Sequence, residues 1–232
     1  MKKVSIVGVS GTGKSTYAQY LASRIRSKEV NIVPTDMIKD GLRFMISKGI
    51  FPENLTPEEI YSIREPSKKC DIKTGSRAAY TVSKIKNVLS ETLVKYEDDR
   101  IFVFEGFFIP NTDEEITLIT ADESWLEKIH GERMILRHGR KDNQQIKRDV
   151  NNLVSLQEWF VNELDKNKLN YNIVSSPVNI PLIDNFKHKF LNLEDYLKEM
   201  FFKLGVDQDS ELARKYFMKG LNHAYRRTTD LK

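Results

Sequence analysis

The octapeptide Gly8-Val9-Ser10-Gly11-Thr12-Gly13-Lys14-Ser15, set between a short apolar run and an amphipathic stretch, constrains this chain more than any other feature. It satisfies the spacing G-x-x-x-x-G-K-[ST] in full. Glycines let the backbone wrap tightly, so that successive N–H groups point inward at an anion. A lysine and a hydroxyl then follow where a helix begins, and a helix N-terminus attracts negative charge. Upstream, Val4-Ser5-Ile6-Val7 reads as a buried strand; downstream, Tyr17, Leu21 and Ile25 recur every four residues as in a helix. This strand–loop–helix context turns the spacing from a chance match into a phosphate cradle. Gly11, Thr12, Gly13, Lys14, Ser15 and Thr16 are the candidate nucleotide-binding residues. Lys14 serves the β- and γ-phosphates and Ser15 offers its hydroxyl to Mg²⁺, so ATP with Mg²⁺ is the expected cofactor pair.

The rest of the chain alternates between short apolar runs and helical patterns. Val30 to Val33 reads as a second strand stopped by Pro34, with Thr35 and Asp36 as the N-cap of a helix carrying Ile38, Leu42, Met45 and Ile46. The stretch from about Gly49 to Pro66 reads as a loop with one short helix starting at Thr56-Pro57. A long helix is expected from roughly Ser67 to Tyr96, with Val82, Ile85, Leu89, Leu93 and Tyr96 on one face. Ile101 to Phe104, a continuous apolar run, predicts a central parallel strand. Ile116 to Ile119 and Ile173-Val174 complete the strands, with residues 122–166 mostly helical between them.

Beyond Pro181 only helical patterning remains. Leu193, Tyr196, Leu197, Met200 and Phe201 form one apolar face, and Leu212, Tyr216, Phe217 and Leu221 another. These patterns predict a three-layer α/β fold around a parallel sheet. The expected division is a core over residues 1–180, with a lid at about 122–150, and a C-terminal helical extension over 181–232.

Composition narrows the class. The 232 residues are 40% hydrophobic and 30% charged with a net charge of +4, which suits a soluble globular enzyme and a polyanionic small substrate. The N-terminal apolar run is too short for a signal peptide, and no window is long and apolar enough to span a membrane, so the cytoplasm is the expected compartment. Cys70 is the sole cysteine, which excludes an intrachain disulfide and a cysteine-based metal site. The four histidines, His130, His138, His188 and His223, show no metal-ligand spacing. No guanine-reading N-K-x-D occurs, and the chain is short for an oligomeric motor. A small phosphotransferase acting on an alcohol group remains.

Phosphoryl transfer needs positioning and charge neutralisation. Asp36 follows the second strand and Glu105 ends the third, so both fall at the edge of the sheet where α/β proteins bind ligands. Asp36 is the candidate to orient the acceptor hydroxyl or take its proton, the alternative being a plain helix cap. Glu105 would hold the acceptor or a Mg²⁺-bound water, the alternative being a carboxylate satisfied by backbone N–H groups. Arg133, Arg137 and Arg140, with Lys141 and Arg148, mark the expected lid, and Arg137 and Arg140 are its catalytic candidates. On one helix, Arg133, Arg137 and Arg140 would share a face. Arg43 and Arg77 are the candidates for binding an anionic acceptor, each weighed against a solvated surface role.

Several of these segments together resemble the 2-phosphoglycerate kinase group of P-loop kinases. They are Gly8 to Ser15, Pro34-Thr35-Asp36-Met37-Ile38-Lys39, Glu105-Gly106 followed by Ile109-Pro110, and His130-Gly131-Glu132-Arg133-Met134-Ile135-Leu136-Arg137. The last is similar to the group's His-x-x-Arg-Phe-x-x-Arg, with Met134 in place of the aromatic residue, and Lys39 stands where the group has arginine. The resemblance covers roughly residues 3 to 175. It implies five strands in the order 2-3-1-4-5 and an acceptor like 2-phosphoglycerate.

A nucleoside or nucleic-acid acceptor is the weaker expectation. It rests on Lys215, Lys219, Arg226 and Arg227 interleaved with Tyr216, Phe217 and Tyr225. A nucleotide-sensing module without transfer is a third reading. The C-terminal helices are expected to pack on the core or to pair two subunits as a homodimer.

Overall fold

The computed structural model describes residues 2–25, 29–64, 71–95, 100–177 and 191–229, with the backbone alone for Arg137 and residues 225–229. Five parallel strands form one sheet in the order β2-β3-β1-β4-β5. They are β1 (Lys2–Val7), β2 (Val30–Pro34), β3 (Ile101–Gly106), β4 (Glu115–Ala121) and β5 (Tyr171–Ser176). This is the fold class and strand order that the sequence and its resemblance implied. Phe102, Val103 and Phe104 are wholly buried because β3 lies between β2 and β1 with helices over both faces, so no position along it alternates toward water.

The helices are α1 (Lys14–Arg24), α2 (Thr35–Ile46), α3 (Pro57–Arg64), α4 (Ile72–Val94), α5 (Glu123–His138), α6 (Asn143–Lys166), α7 (Leu197–Leu204) and α8 (Glu211–Thr229). Helix α1 covers one face of the sheet. There Val4, Ile6, Ile32, Ile101, Val103 and Ile119 pack on Ala18 and Ala22. The two alanines, rather than Tyr17, Leu21 and Ile25, form the centre of that contact: the larger side chains flank it half-buried, and small residues let the helix lie close. The opposite face carries the main core, built from α2, α4, the C-terminal half of α6, α7 and α8. Ile38, Leu42, Met45 and Ile46 of α2, and Val82, Ile85, Leu89 and Leu93 of α4, all enter it as their spacing predicts. Tyr96, Cys70 and the expected helix start at Ser67 lie outside the described residues.

Three helix boundaries differ from expectation. Asp71 caps α4, its carboxylate accepting from the Thr74 N–H at 2.7 Å. No side chain caps α2: Pro34 holds that position, and the Thr35 hydroxyl donates instead to the Glu105 carbonyl of β3 at 3.0 Å. Helix α5 stops at His138 because Gly139 takes a left-handed conformation (φ 66°) and its N–H closes on the Ile135 carbonyl at 2.7 Å. Arg140 therefore lies beyond the helix and shares no helical face with Arg133. The short α3 does start where Thr56-Pro57 predicts. Thr56 and Glu59 form a reciprocal capping box, the Thr56 N–H donating to the Glu59 carboxylate (2.7 Å) and the Glu59 N–H to the Thr56 hydroxyl (3.2 Å).

A buried polar cluster pins α4 beneath the sheet. Lys86 of α4 pairs with Glu114, just before β4, and the Ser5 hydroxyl of β1 donates to the same carboxylate. Both charged side chains are wholly buried, and the Lys86 ammonium also faces the rings of Phe104 (5.1 Å) and Phe108 (5.7 Å).

Both C-terminal helices join the main core through Leu197, Met200, Phe201, Leu204, Ala213 and Phe217. Helix α8 lies directly on α2. A Cβ added to Gly220 would stand 2.6 Å from the Asp40 carbonyl oxygen and 3.0 Å from Gly41 Cα, so only glycine permits this approach. Gly220→Ala is expected to destabilise the protein by about 1–3 kcal/mol, read as a lower denaturation midpoint, since backbone cannot step aside. A gain in stability, as helix propensity alone would give, would contradict the tight crossing. Among the described residues, no helix is long and apolar enough to cross a membrane.

Candidate functional site

All five strands are parallel, so their carboxyl ends open on one edge of the sheet. The Gly8–Gly13 loop leaves β1 there, Asp36 follows β2, Glu105 is the penultimate residue of β3, and Asp122 follows β4. Register fixes their proximity: Pro34 pairs with Glu105, and Val7 with both Gly106 and Leu118.

The loop is held from several sides. Gly11 and Gly13 adopt φ values of 93° and 85°, open to glycine at little cost, and Gly13 forms the N-cap of α1. The Thr12 hydroxyl, fully buried, donates to the Val9 carbonyl at 3.0 Å. From α5, the Trp125 indole N–H donates to the Gly11 carbonyl at 3.2 Å, and the His130 ring lies where a Gly11 Cβ would meet it at 3.3 Å. From β5, the Ser176 hydroxyl donates to the Thr12 carbonyl. The Asp122 carboxylate caps α5, accepting from the Trp125 N–H at 2.7 Å, which positions that indole.

Lys14 is buried, and its ammonium donates to the Val9 carbonyl at 2.8 Å. Burial pushes its pKa down, and the Arg133 charge adds to this, while Asp36 and Glu105 oppose it. Ser15, exposed at the start of α1, donates its hydroxyl to Glu105 Oε2 at 3.2 Å. Burial pushes the Glu105 carboxyl up to about 7, against Lys14; Asp36 raises it further and the Ser15 hydrogen bond opposes. Asp36 itself is exposed in the first turn of α2, where the helix N-terminus favours a negative charge. Lys14, Asp36, Glu105 and Ser15 thus form one electrostatic unit.

The arginines separate into distinct environments. Arg133 of α5 donates to the Ser10 hydroxyl at 3.2 Å, bringing it to the Gly8–Gly13 loop. Arg137 lies in the last turns of α5, with its side chain outside the described atoms, and Arg140 is exposed beyond the Gly139 cap. Arg43 donates through Nε to the Ile63 carbonyl at 2.8 Å and pairs with Asp40, which ties α2 to α3. Arg77 is half-buried in the second turn of α4. Thr16 is exposed on the first turn of α1. Sequence reasoning placed Arg133 in the lid without selecting it, and did not select Trp125 or Ser176. Their roles come from contacts spanning 114 to 164 residues, for which no local signal exists.

The donor set fits a magnesium nucleotide. Among the described residues no group of three or more His, Cys, Asp or Glu could cage a metal by itself. A hydroxyl and two carboxylates beside a phosphate loop are the oxygen donors that Mg²⁺ takes when it arrives on phosphates. Glu105 also yields a pH prediction for the ligand-free protein. Its pKa of about 7 exceeds the ordinary 4.5, so between those values the folded chain keeps a proton that the unfolded chain has released. Stability therefore falls as pH rises through that window. Glu105→Gln is expected to flatten the slope and to raise stability at pH 8 by on the order of 1–3 kcal/mol. Urea midpoints at pH 5 and pH 8 read this directly, and an unchanged slope would show that Glu105 ionises freely.

No protein-family model matches the sequence, and no curated protein does. Among solved structures, the chain is similar to shikimate kinase from Acinetobacter baumannii in complex with shikimate, at 12% identity and a TM-score of 0.40, over 78% of this chain and 86% of that one. It is also similar to TT1252 from Thermus thermophilus, at 16% identity and a TM-score of 0.40, over 77% of this chain and 90% of that one.

Proposed function

We propose that this chain is a Mg-ATP-dependent kinase that transfers the γ-phosphate to a hydroxyl of a small anionic acceptor. A 2-phosphoglycerate-like acid, the acceptor implied by the sequence resemblance, is the first candidate. The observation that carries the reading is the meeting of the Gly8–Ser15 loop, Asp36 and Glu105 at one edge of the sheet.

Bound ATP and Mg²⁺ supply the transferable phosphoryl group and much of the charge neutralisation. The loop's N–H groups cradle the phosphates, and Lys14 exchanges the Val9 carbonyl for phosphate oxygens. Ser15 and Glu105 provide the oxygen donors for the metal or its water. Asp36 accepts a hydrogen bond from the acceptor hydroxyl, aims its lone pair, and takes its proton as the new O–P bond forms and the bond from the γ-phosphorus to the β-phosphate oxygen breaks, leaving ADP. Arg133, already at Ser10, offers a guanidinium to the phosphate oxygens. Arg137 and Arg140 are proposed to close with the lid, and Arg77 and Arg43 to face the acceptor side.

The test is ADP release with Mg-ATP across phosphorylated acids, sugars, nucleosides and short oligonucleotides. Release stimulated by a small phosphorylated acid supports the reading and identifies the acceptor. Stimulation only by nucleosides or oligonucleotides would replace the acceptor class. Tight ATP binding with no transfer to any of them would mark a sensing module instead.

A further inference from the structure

The seam between α2 and α8 has a direction. The rings of Phe44 and Tyr216 lie 6.0 Å apart, and Lys48, just past the end of α2, stands 6.0 Å over the same Tyr216 ring. Gly220, one turn later on α8, lies instead against Asp40 and Gly41, one turn earlier on α2. The two helices are therefore antiparallel, and their outer surfaces form one continuous strip.

Charge on that strip is one-sided. The Lys48 and Lys219 ammoniums converge on a single ring, 5.8 Å and 5.5 Å from the centre of Phe44. Lys215, exposed one turn before Lys219, extends the same face. Neither Gly41 to Pro52 nor Leu212 to Thr229 contains an acidic residue. The arginines beside the strip are engaged, Arg43 by Asp40 and Arg214 by Glu194. Among the described residues the three lysines have no carboxylate within ion-pair distance, whereas Lys84, Lys95 and Lys203, of α4 and α7, each pair with a glutamate. Aromatic faces hold Lys48 and Lys219 instead, which gathers like charges beside the half-buried rings of Phe44 and Tyr216. Phe217 points the other way, wholly buried against Phe201. The side chains of Tyr225, Arg226 and Arg227 lie outside the described atoms.

We propose that this strip binds single-stranded nucleic acid, with Lys48, Lys215 and Lys219 on the phosphates and Phe44 and Tyr216 as the platform for bases. Ammoniums that move from the rings to phosphates leave the ring faces free, and an unstacked base can then lie on them. A duplex keeps its bases stacked within itself and offers the lysines its phosphates alone. The strip is separate from the phosphate loop: α2 starts at the carboxyl edge of the sheet, and Phe44 lies ~12 Å along it beyond Asp36. This inference goes beyond the kinase reading and does not depend on it.

The experiment follows the fluorescence anisotropy of a short labelled oligothymidylate over a series of salt concentrations. The wild type is expected to bind it, with log affinity falling linearly against log salt. Lys48→Gln/Lys219→Gln is expected to weaken binding about tenfold and to reduce that slope by about 1.4, since each lost phosphate contact removes about 0.7. Lys48→Arg/Lys219→Arg, which keeps the charge, is expected to retain binding. Lys166→Ala/Lys198→Ala removes two paired lysines elsewhere on the surface and is expected to change nothing. An abasic strand of the same length, and a duplex, are both expected to bind more weakly than the oligothymidylate. Should the double glutamine variant not fold, each single one carries the comparison, with a slope change of about 0.7.

The proposal is overturned if the wild type does not bind the strand, if binding is undiminished in the glutamine variant, or if the Lys166/Lys198 variant loses as much. Equal binding of the abasic strand or the duplex also overturns it, because the strip would then be a general polyanion surface. So does displacement of the strand by Mg²⁺ with the non-hydrolysable ATP analogue AMP-PNP, which would put the strand at the phosphate loop. Failure of the wild type to bind Mg-AMP-PNP is a separate result that bears on the kinase reading alone.

Discussion

Asp36→Ala is expected to slow acceptor-dependent phosphate transfer by about 10²–10⁴-fold, the range over which a positioned general base acts, while Mg-ATP binds as before. The carboxylate stands exposed at the start of α2 and caps nothing, so its loss should leave the helix and the nucleotide loop in place. Its charge acts on Lys14 and Glu105, the two groups with which the proposed mechanism has it share the site. Asp36→Asn separates the two roles assigned to it. The amide still orients the acceptor hydroxyl and cannot take its proton, so an intermediate rate is expected. Single-turnover kinetics with a nucleotide-binding control would read both variants. Turnover retained in Asp36→Ala would remove this residue from the mechanism and leave Glu105, whose carboxyl burial pushes to about 7, as the remaining base.

The second large effect is on stability. Lys86→Met is expected to cost about 3–5 kcal/mol, because it leaves the Glu114 carboxylate buried with the Ser5 hydroxyl as its remaining side-chain partner among the described residues. For a chain of this size that lowers the melting temperature by roughly 10 °C. The double variant Lys86→Met/Glu114→Leu is expected to recover most of the loss, since a well-packed apolar pair of similar volume is often as stable as a buried ion pair. Thermal melts of the single and double variants decide this. A single variant as stable as the wild type would mean that the cluster admits water. The cluster lies beneath the sheet, away from the phosphate loop, so nucleotide affinity per folded molecule should be unchanged in both.

Much of the fold was legible because the main elements announce themselves locally. Ile101 to Phe104 is apolar at every position, which only a strand covered on both faces tolerates, and it became the sheet's buried β3. The spacing of Ile38, Leu42, Met45 and Ile46 likewise marked the inner face of α2. The misreadings arose where a neighbour in space overrode a local preference. Thr35 had the chemistry of a helix cap, yet the adjacent β3 offers it the Glu105 carbonyl. Tyr17, Leu21 and Ile25, by contrast, did mark a helix that packs on the sheet, half-buried beside the smaller Ala18 and Ala22. The arginine spacing assumed one unbroken helix, and Gly139 ends it before Arg140.

By itself, the sequence determined what depends on short spacings: the glycine-rich loop between β1 and α1 with Lys14 and Ser15 at its end, the strands and their helices, and the placement of Asp36 and Glu105 at strand ends. These follow from backbone geometry and hydrophobic period, which a dozen residues suffice to express. Tertiary structure alone decided what stands beside them. It brought Arg133 to Ser10, Trp125 to Gly11 and Ser176 to Thr12, placed Lys86 against Glu114, and laid α8 antiparallel along α2. Each of these contacts joins residues far apart in the chain, and its existence depends on how whole helices pack, a property that no local window contains.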